Sequence, residues 1–227
     1  MTEHSAEAEN SKGLANGRRA AQLSRLYLDA VRAADAPGAF RLAAGALAGG
    51  MSTPELYQRV IAPAMHEIGE LWAKGALTVA DEHLATSLTH RVLAALRPPV
   101  WVEAGMKPEA TSVKGRVMLA AVEGEQHVLG LRMATDVLED AGFETIYLGA
   151  DVPIGALLQA VDSLSPDLLA LSATMPELAL QLDQVASALR RSHPHLGLLV
   201  GGQAASPRVR GGTLVEDLEV LPQAVLI

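Results

Sequence analysis

The rhythm of the chain changes at Lys114, and that change constrains the fold more than any other feature. Short apolar runs at residues 117–122, 145–148, 168–172 and 196–200 alternate with stretches of helical periodicity. Gly142, Asp151-Val152-Pro153, Pro166, Pro176 and Gly201-Gly202 break the chain between them. Strand-length runs separated by helices read as βαβ units, and such units build a parallel sheet. A fifth run near residues 214–220 completes a flavodoxin-like, Rossmann-like five-stranded domain over residues 114–227. Little chain remains after Leu221 for a closing helix.

The first half reads differently. Residues 1–16 are polar, small and without periodicity, which predicts a disordered tail. From Gly17 to Pro98 the spacing is helical throughout. Leu23, Leu26, Tyr27, Ala30 and Val31 define a first helix that Asp35-Ala36-Pro37 ends, and an Ala-rich helix then runs to Gly49-Gly50. Ser52 or Thr53 caps a third helix, with Pro54 in its first turn and Glu55 three after Ser52 as a capping box. Along it Ile61, Met65, Ile68 and Trp72 share a face, and Pro63 should kink it. Gly75 stops it, and Thr78 with Asp81 caps the next. Residues 17–98 therefore predict a four-helix bundle, and residues 99–113, opening on Pro98-Pro99, a linker. The fold class is α followed by α/β.

Composition narrows the function. The chain has no cysteine, which excludes disulfides, thiolate metal sites, a cysteine nucleophile and any thioether-held cofactor. A net charge of −8 without a long basic run argues against direct nucleic-acid binding. No run approaches the roughly 20 apolar residues of a membrane span, and no secretory signal opens the chain. A cytoplasmic protein is expected. No nucleophile triad, phosphate-binding glycine loop or paired-carboxylate site is present, so no catalytic residue is assigned and a binding or sensing role is expected.

The first strand of the sheet runs into Glu123-Gly124-Glu125-Gln126-His127-Val128-Leu129-Gly130. Open α/β sheets bind ligands at the carboxyl ends of their strands, where the strand order reverses. In a 2-1-3-4-5 order that crevice makes the His127 loop a neighbour of the strand ending at Ser172. An imidazole there can bind a metal through one nitrogen while Glu125 orients the other. No second ligand stands at metal-binding spacing, so His127 suits a metal already held by a macrocycle. A surface histidine in a polar loop fits the same residues.

Three elements in this order, Glu125-x-His127-x-x-Gly130, then Ser172-x-Thr174, then Gly201-Gly202, resemble the cobalamin-binding domain family. The resemblance covers residues 114–221. It implies that His127 replaces the cofactor's own dimethylbenzimidazole as the lower cobalt ligand, with Glu125 behind it. It further implies that Ser172 hydrogen-bonds the buried nucleotide tail and that Gly201 and Gly202 let the tail pass. Thr174 departs from the hydrophobic residue common at its place.

In the bundle, Trp72 precedes the Gly75 turn and Glu82-His83 follows Thr78, so all three lie at one corner. A core tryptophan and an acidic helix start would account for them. The spacing Trp72-x9-Glu82-His83 is, however, similar to that of the CarH-like adenosylcobalamin photoreceptors, as is the run from Ala62 to Leu71. That resemblance implies a bundle covering the upper face of adenosylcobalamin, with Trp72, Glu82 and His83 around the adenosyl group. Two departures stand out. A polar tail occupies the place of the family's MerR-type DNA-binding domain. Ala73 follows Trp72 where some members carry a histidine that binds cobalt after illumination, which leaves His83 and His66 as the nearest imidazoles.

The function implied is a cobalamin-dependent light sensor. Photolysis of the Co–C bond would change conformation or homo-oligomeric assembly and pass the signal to a protein effector that the sequence does not identify. Some similar proteins hold a bilin as well; without cysteine only non-covalent biliverdin would fit. The alternatives are a corrinoid methyl carrier of a methyltransferase system, and a light-independent cobalamin-binding antirepressor.

Overall fold

The computed structural model describes residues 3–97, 113–209 and 211–225. The chain divides into two compact units, Met1–Glu103 and Ala104–Ile227, and each is described by itself.

The first unit is helical. Its elements are α1 (Glu3–Arg32), α2 (Ala36–Ala48), α3 (Thr53–Leu56), a π-helical turn (Tyr57–Ile61), α4 (Ala62–Ala73) and α5 (Val79–Leu96). With α3, the π turn and α4 running as one rod, this is the expected four-helix bundle. Asp35 caps α2 by accepting the Gly38 N–H, and Ser52 caps α3 by accepting that of Glu55. Thr78 and Asp81 form the reciprocal box at the start of α5, which satisfies two N–H groups otherwise left without partners. The core holds Tyr27, Leu56, Tyr57, Ile61, Ile68 and Leu93, each essentially inaccessible to solvent. Inside it the Tyr27 hydroxyl donates to Thr89 Oγ1 at 3.3 Å and the Thr89 hydroxyl to Met65 Sδ at 3.2 Å. Burial pushes the Tyr27 phenol up to about 12, so it stays a neutral donor.

One expectation is corrected here. The segment read as a disordered tail is helical from Glu3. Once the packed half of α1 is nucleated, extending it costs little, and residues 3–16 contain three Ala, three Glu and no Pro to stop it. The helix read through Pro63 runs on as one rod. Pro63 falls in the first turn of α4, and the π turn just before it shifts the bonding pattern, with Ala62 N–H reaching Tyr57 O. A widened turn absorbs the donor that proline lacks.

The second unit contains β1 (Arg116–Val122), α6 (Leu129–Asp140), β2 (Glu144–Val152), α7 (Ile154–Leu164), β3 (Leu168–Ser172) and a 3-10 turn (Pro176–Leu178). It continues with α8 (Ala179–Ser192), β4 (Gly197–Gly201), β5 (Thr213–Leu214) and α9 (Leu221–Ala224). The strands form one parallel sheet in the order β2-β1-β3-β4-β5, the flavodoxin-like arrangement. Its interior strand β1 is buried from Val117 to Val122, and Met118, Leu119, Leu157, Leu169, Leu171 and Leu182 are among the core of the unit. The fifth strand is shorter and earlier than the run at 214–220 suggests. Asp217 turns the chain there, its carboxylate accepting the Glu219 N–H, and the single turn of α9 follows. The expected linker at 99–113, with Trp101, lies almost wholly outside the described residues. Among the described residues no helix is long and apolar enough to cross a membrane.

Candidate cofactor site

The strand order brings the loop after β1 beside the loop after β3, and one buried side chain ties them together. Glu125 is fully inaccessible. Its Oε1 lies 2.7 Å from the His127 backbone nitrogen and 2.7 Å from His127 Nδ1. Its Oε2 accepts the backbone N–H groups of Thr174 and, at 3.1 Å, Met175. Burial raises the carboxyl's pKa, but these donors outweigh it and hold the group below its ordinary value of 4.5. The side chain is therefore an anion with its lone pairs engaged. A carboxylate facing Nδ1 fixes the imidazole as the Nδ1–H tautomer. That leaves Nε2 with its lone pair outward, on a side chain about half exposed.

The rest of the cluster lies along the same edge of the sheet. Ala121, Ser172 and Gly201 stand in one row across β1, β3 and β4, with Ser172 buried. Three glycines of the motif have three different explanations. Gly202 has φ +90°, and a Cβ there would sit 2.2 Å from Ala173 O, so the protein's own backbone demands it. A Cβ on Gly201 would come within 3.3 Å of Val215 O, a tight contact. Gly130, in the first turn of α6, meets nothing within 4 Å. Helical glycine costs about 1 kcal/mol relative to alanine, and nothing in the chain requires it there; a ligand lying close over this turn would. Thr174 contributes through its backbone, which makes its departure from a hydrophobic side chain immaterial to the contact observed.

Sequence reading missed Met175 and Gln181. Met175 acts through a peptide N–H, which has no signature in the sequence. Gln181 Nε2 donates to Glu123 O at 2.9 Å. Asp151, which looks like an N-cap for the helix after Pro153, does not cap it; its Oδ1 accepts the Gly124 N–H at 2.7 Å instead.

At the corner of the helical unit, the side chains of Glu82 and His83 are bound to each other. His83 Nδ1 lies 2.6 Å from Glu82 Oε2, and Glu82 Oε1 accepts the Thr86 hydroxyl at 2.8 Å. Trp72, in the last turn of α4, is 44% exposed. The apolar face through Ile61 and Ile68 is core; at Trp72 it emerges into solvent, which removes the core-tryptophan alternative. His66 and Ala73 are exposed as well.

A parallel sheet whose switch-point loop presents a carboxylate-seated imidazole, in a chain that also carries a helical unit, fits a corrinoid-binding class of protein. Family models bear this out: a B12 binding domain matches residues 23–97 and a second B12 binding domain matches residues 115–213. Together they span well over half of the chain, which belongs to the B12-binding domain family and binds cobalamin. Trimethylamine corrinoid protein 1 of Methanosarcina mazei is 27% identical over 77% of this chain and 80% of its own. The HTH-type transcriptional repressor CarH of Myxococcus xanthus is 33% identical over 66% of this chain and 47% of its own. The solved monomethylamine corrinoid protein of Methanosarcina barkeri superposes with a TM-score of 0.68 at 21% identity, over 90% of this chain and 97% of that one, a likeness of fold.

Proposed function

We propose that the protein is a corrinoid carrier, holding cobalamin with His127 as lower ligand and serving a methyltransferase as the bearer of its methyl group. The observation that carries this reading is the seat of His127, a half-exposed side chain with Nδ1 held by an anionic, fully buried Glu125. Bound cobalamin supplies a cobalt whose upper face accepts and yields an alkyl group. This chain's part is to bind and orient. His127 offers the imidazole lone pair, and Glu125 holds the ring against rotation with the proton on Nδ1. Ser172 offers a hydroxyl to the nitrogen of the displaced dimethylbenzimidazole, and Gly130 and Gly201 keep side chains out of the cofactor's path. The carrier role is supported by relatives named as corrinoid proteins that match over most of their own length. In this role the chain is a binding protein and the chemistry belongs to its partner.

A specific observation favours a second reading, an adenosylcobalamin light sensor. Trp72 is exposed, and Glu82 holds His83 through Nδ1, in the spacing similar to the photoreceptors. In that reading Trp72, Glu82 and His83 take the adenosyl group, and light changes the assembly or the effector contact. No biliverdin site is proposed.

Absorption spectra of the protein with methylcobalamin and with adenosylcobalamin, in the dark and after green light, separate the two readings. Binding of methylcobalamin with methyl transfer to a thiol acceptor, and no size change on illumination, is the carrier outcome. Selective retention of adenosylcobalamin with a light-driven change in gel-filtration size is the sensor outcome. No retention of either cobalamin overturns both.

A further inference from the structure

We propose that Asp151 is a positioning residue for the lower cobalt ligand, acting on His127 through the two residues that lead into its loop. The inference rests on the reading of His127 as that ligand.

Among the described residues, three that are not glycine have φ in the left-handed region: Ala34, Asp151 and Ser165, at +56°, +56° and +47°. Ala34 follows the end of α1 and Ser165 caps the end of α7, where left-handed residues ordinarily terminate helices. Asp151 has no such reason. It lies inside β2, where the pairing with β1 slips: Ala120 faces Gly149, but Val122 faces Val152. The slip leaves an extra residue on β2, a bulge, and bulges beside functional sites re-aim a side chain. Here the re-aimed group is the Asp151 carboxylate, whose Oδ1 accepts the Gly124 N–H at 2.7 Å. The Asp151 N–H donates in turn to Glu125 O at 3.0 Å. Gly124 and the Glu125 backbone are thus suspended from the end of β2, while the Glu125 carboxylate is held by the end of β3. The backbone that aims the carboxylate is fixed from one neighbouring strand and the carboxylate itself from the other. Strain at a functional loop persists when surrounding contacts over-determine it, as they do here.

Two substitutions separate the carboxylate's contact from the strained backbone. Asp151→Asn keeps an acceptor oxygen and tolerates left-handed φ; Asp151→Gly relieves the backbone and removes the acceptor. Full-length protein is labelled with 15N-histidine, loaded with cob(II)alamin and read by electron paramagnetic resonance. Nitrogen splitting from the lower ligand changes from triplet to doublet only if that ligand is a protein histidine, and His127→Ala is the control. Wild type and Asp151→Asn are expected to give the doublet. In Asp151→Gly a large share of cobalt should lose it, and cobalamin affinity should fall roughly tenfold, the lower end of outer-contact effects on metal sites, with the thermal midpoint unchanged or raised. An Asp151→Gly protein that keeps the full doublet and wild-type affinity overturns the inference. So does a folded Asp151→Asn that loses the doublet. A wild type without the doublet overturns the His127 reading itself, and this inference with it.

Discussion

His127 is held by Glu125 at two atoms: the ring Nδ1 and the backbone nitrogen of the histidine both lie 2.7 Å from the same carboxylate oxygen. One acceptor thus fixes both the position of the residue and the rotation of its ring. The other oxygen of Glu125 is bound to Thr174 and Met175 across the sheet, so the histidine inherits the rigidity of the β1–β3 pair.

Replacing His127 by alanine removes a half-exposed side chain and one of the four donors to the buried Glu125 carboxylate. Stability should fall by about 1 kcal/mol, since the three backbone donors remain. The protein-imidazole signature in the spectrum of the bound cobalamin should vanish. Unchanged spectra would remove His127 from the site.

Glu125→Gln should be far more damaging, because four donors then face a neutral amide in a buried place. A loss of about 2–4 kcal/mol in urea unfolding of the sheet unit is expected. The pH dependence has a definite sign. The native carboxyl titrates below the ordinary 4.5, so the native state binds fewer protons than the unfolded chain as pH falls. Its stabilisation is complete above about pH 5 and is lost as the pH drops through the lowered native value. Wild type should therefore lose stability between pH 5 and the native value more steeply than Glu125→Gln. Parallel curves would show that the carboxylate is not the titrating group.

Gly130 and Gly202 should separate stability from cofactor binding. Gly202→Ala drives a methyl into Ala173 O and should cost about 2–4 kcal/mol or prevent folding. Gly130→Ala should stabilise the cofactor-free protein by about 0.5–1 kcal/mol in denaturant titration. The same change should weaken cobalamin binding in fluorescence-quenching titrations. A Gly130→Ala protein that binds cobalamin as wild type does would take that turn of α6 out of the site.

Trp72→Ala exposes no core, since the indole already reaches solvent. Stability of the helical unit should stay within about 0.5 kcal/mol of wild type. Dark binding of adenosylcobalamin should weaken with methylcobalamin binding unaffected if the indole takes the adenosyl group. Equal affinities for both cofactors, before and after the change, favour the carrier.

Legibility followed chemistry with a sequence period or a motif. The parallel order of the sheet was readable from the alternation after Lys114, and Glu125 with His127 from their loop position. The Thr78–Asp81 capping box was readable too, because side-chain spacing is what makes it. Backbone donors were not: Met175 is equivalent, for its N–H, to any residue but proline. Asp-x-Pro before a helix has the pattern of a cap, whereas the bulge that holds Asp151 in β2 arises from pairing between strands. Gly202 was read for the ligand although Ala173 O explains it. The helical start at Glu3 was missed because polarity was taken for disorder where packing farther along α1 sustains the helix.

The carboxylate that seats His127 draws its donors from residues 49 and 50 positions away. A contact of that separation closes late in folding, after the loop entropy of an entire β–α–β–α crossover has been overcome. The seat of His127 is therefore complete only once β3 has docked beside β1, so that assembly of the site is coupled to formation of the sheet.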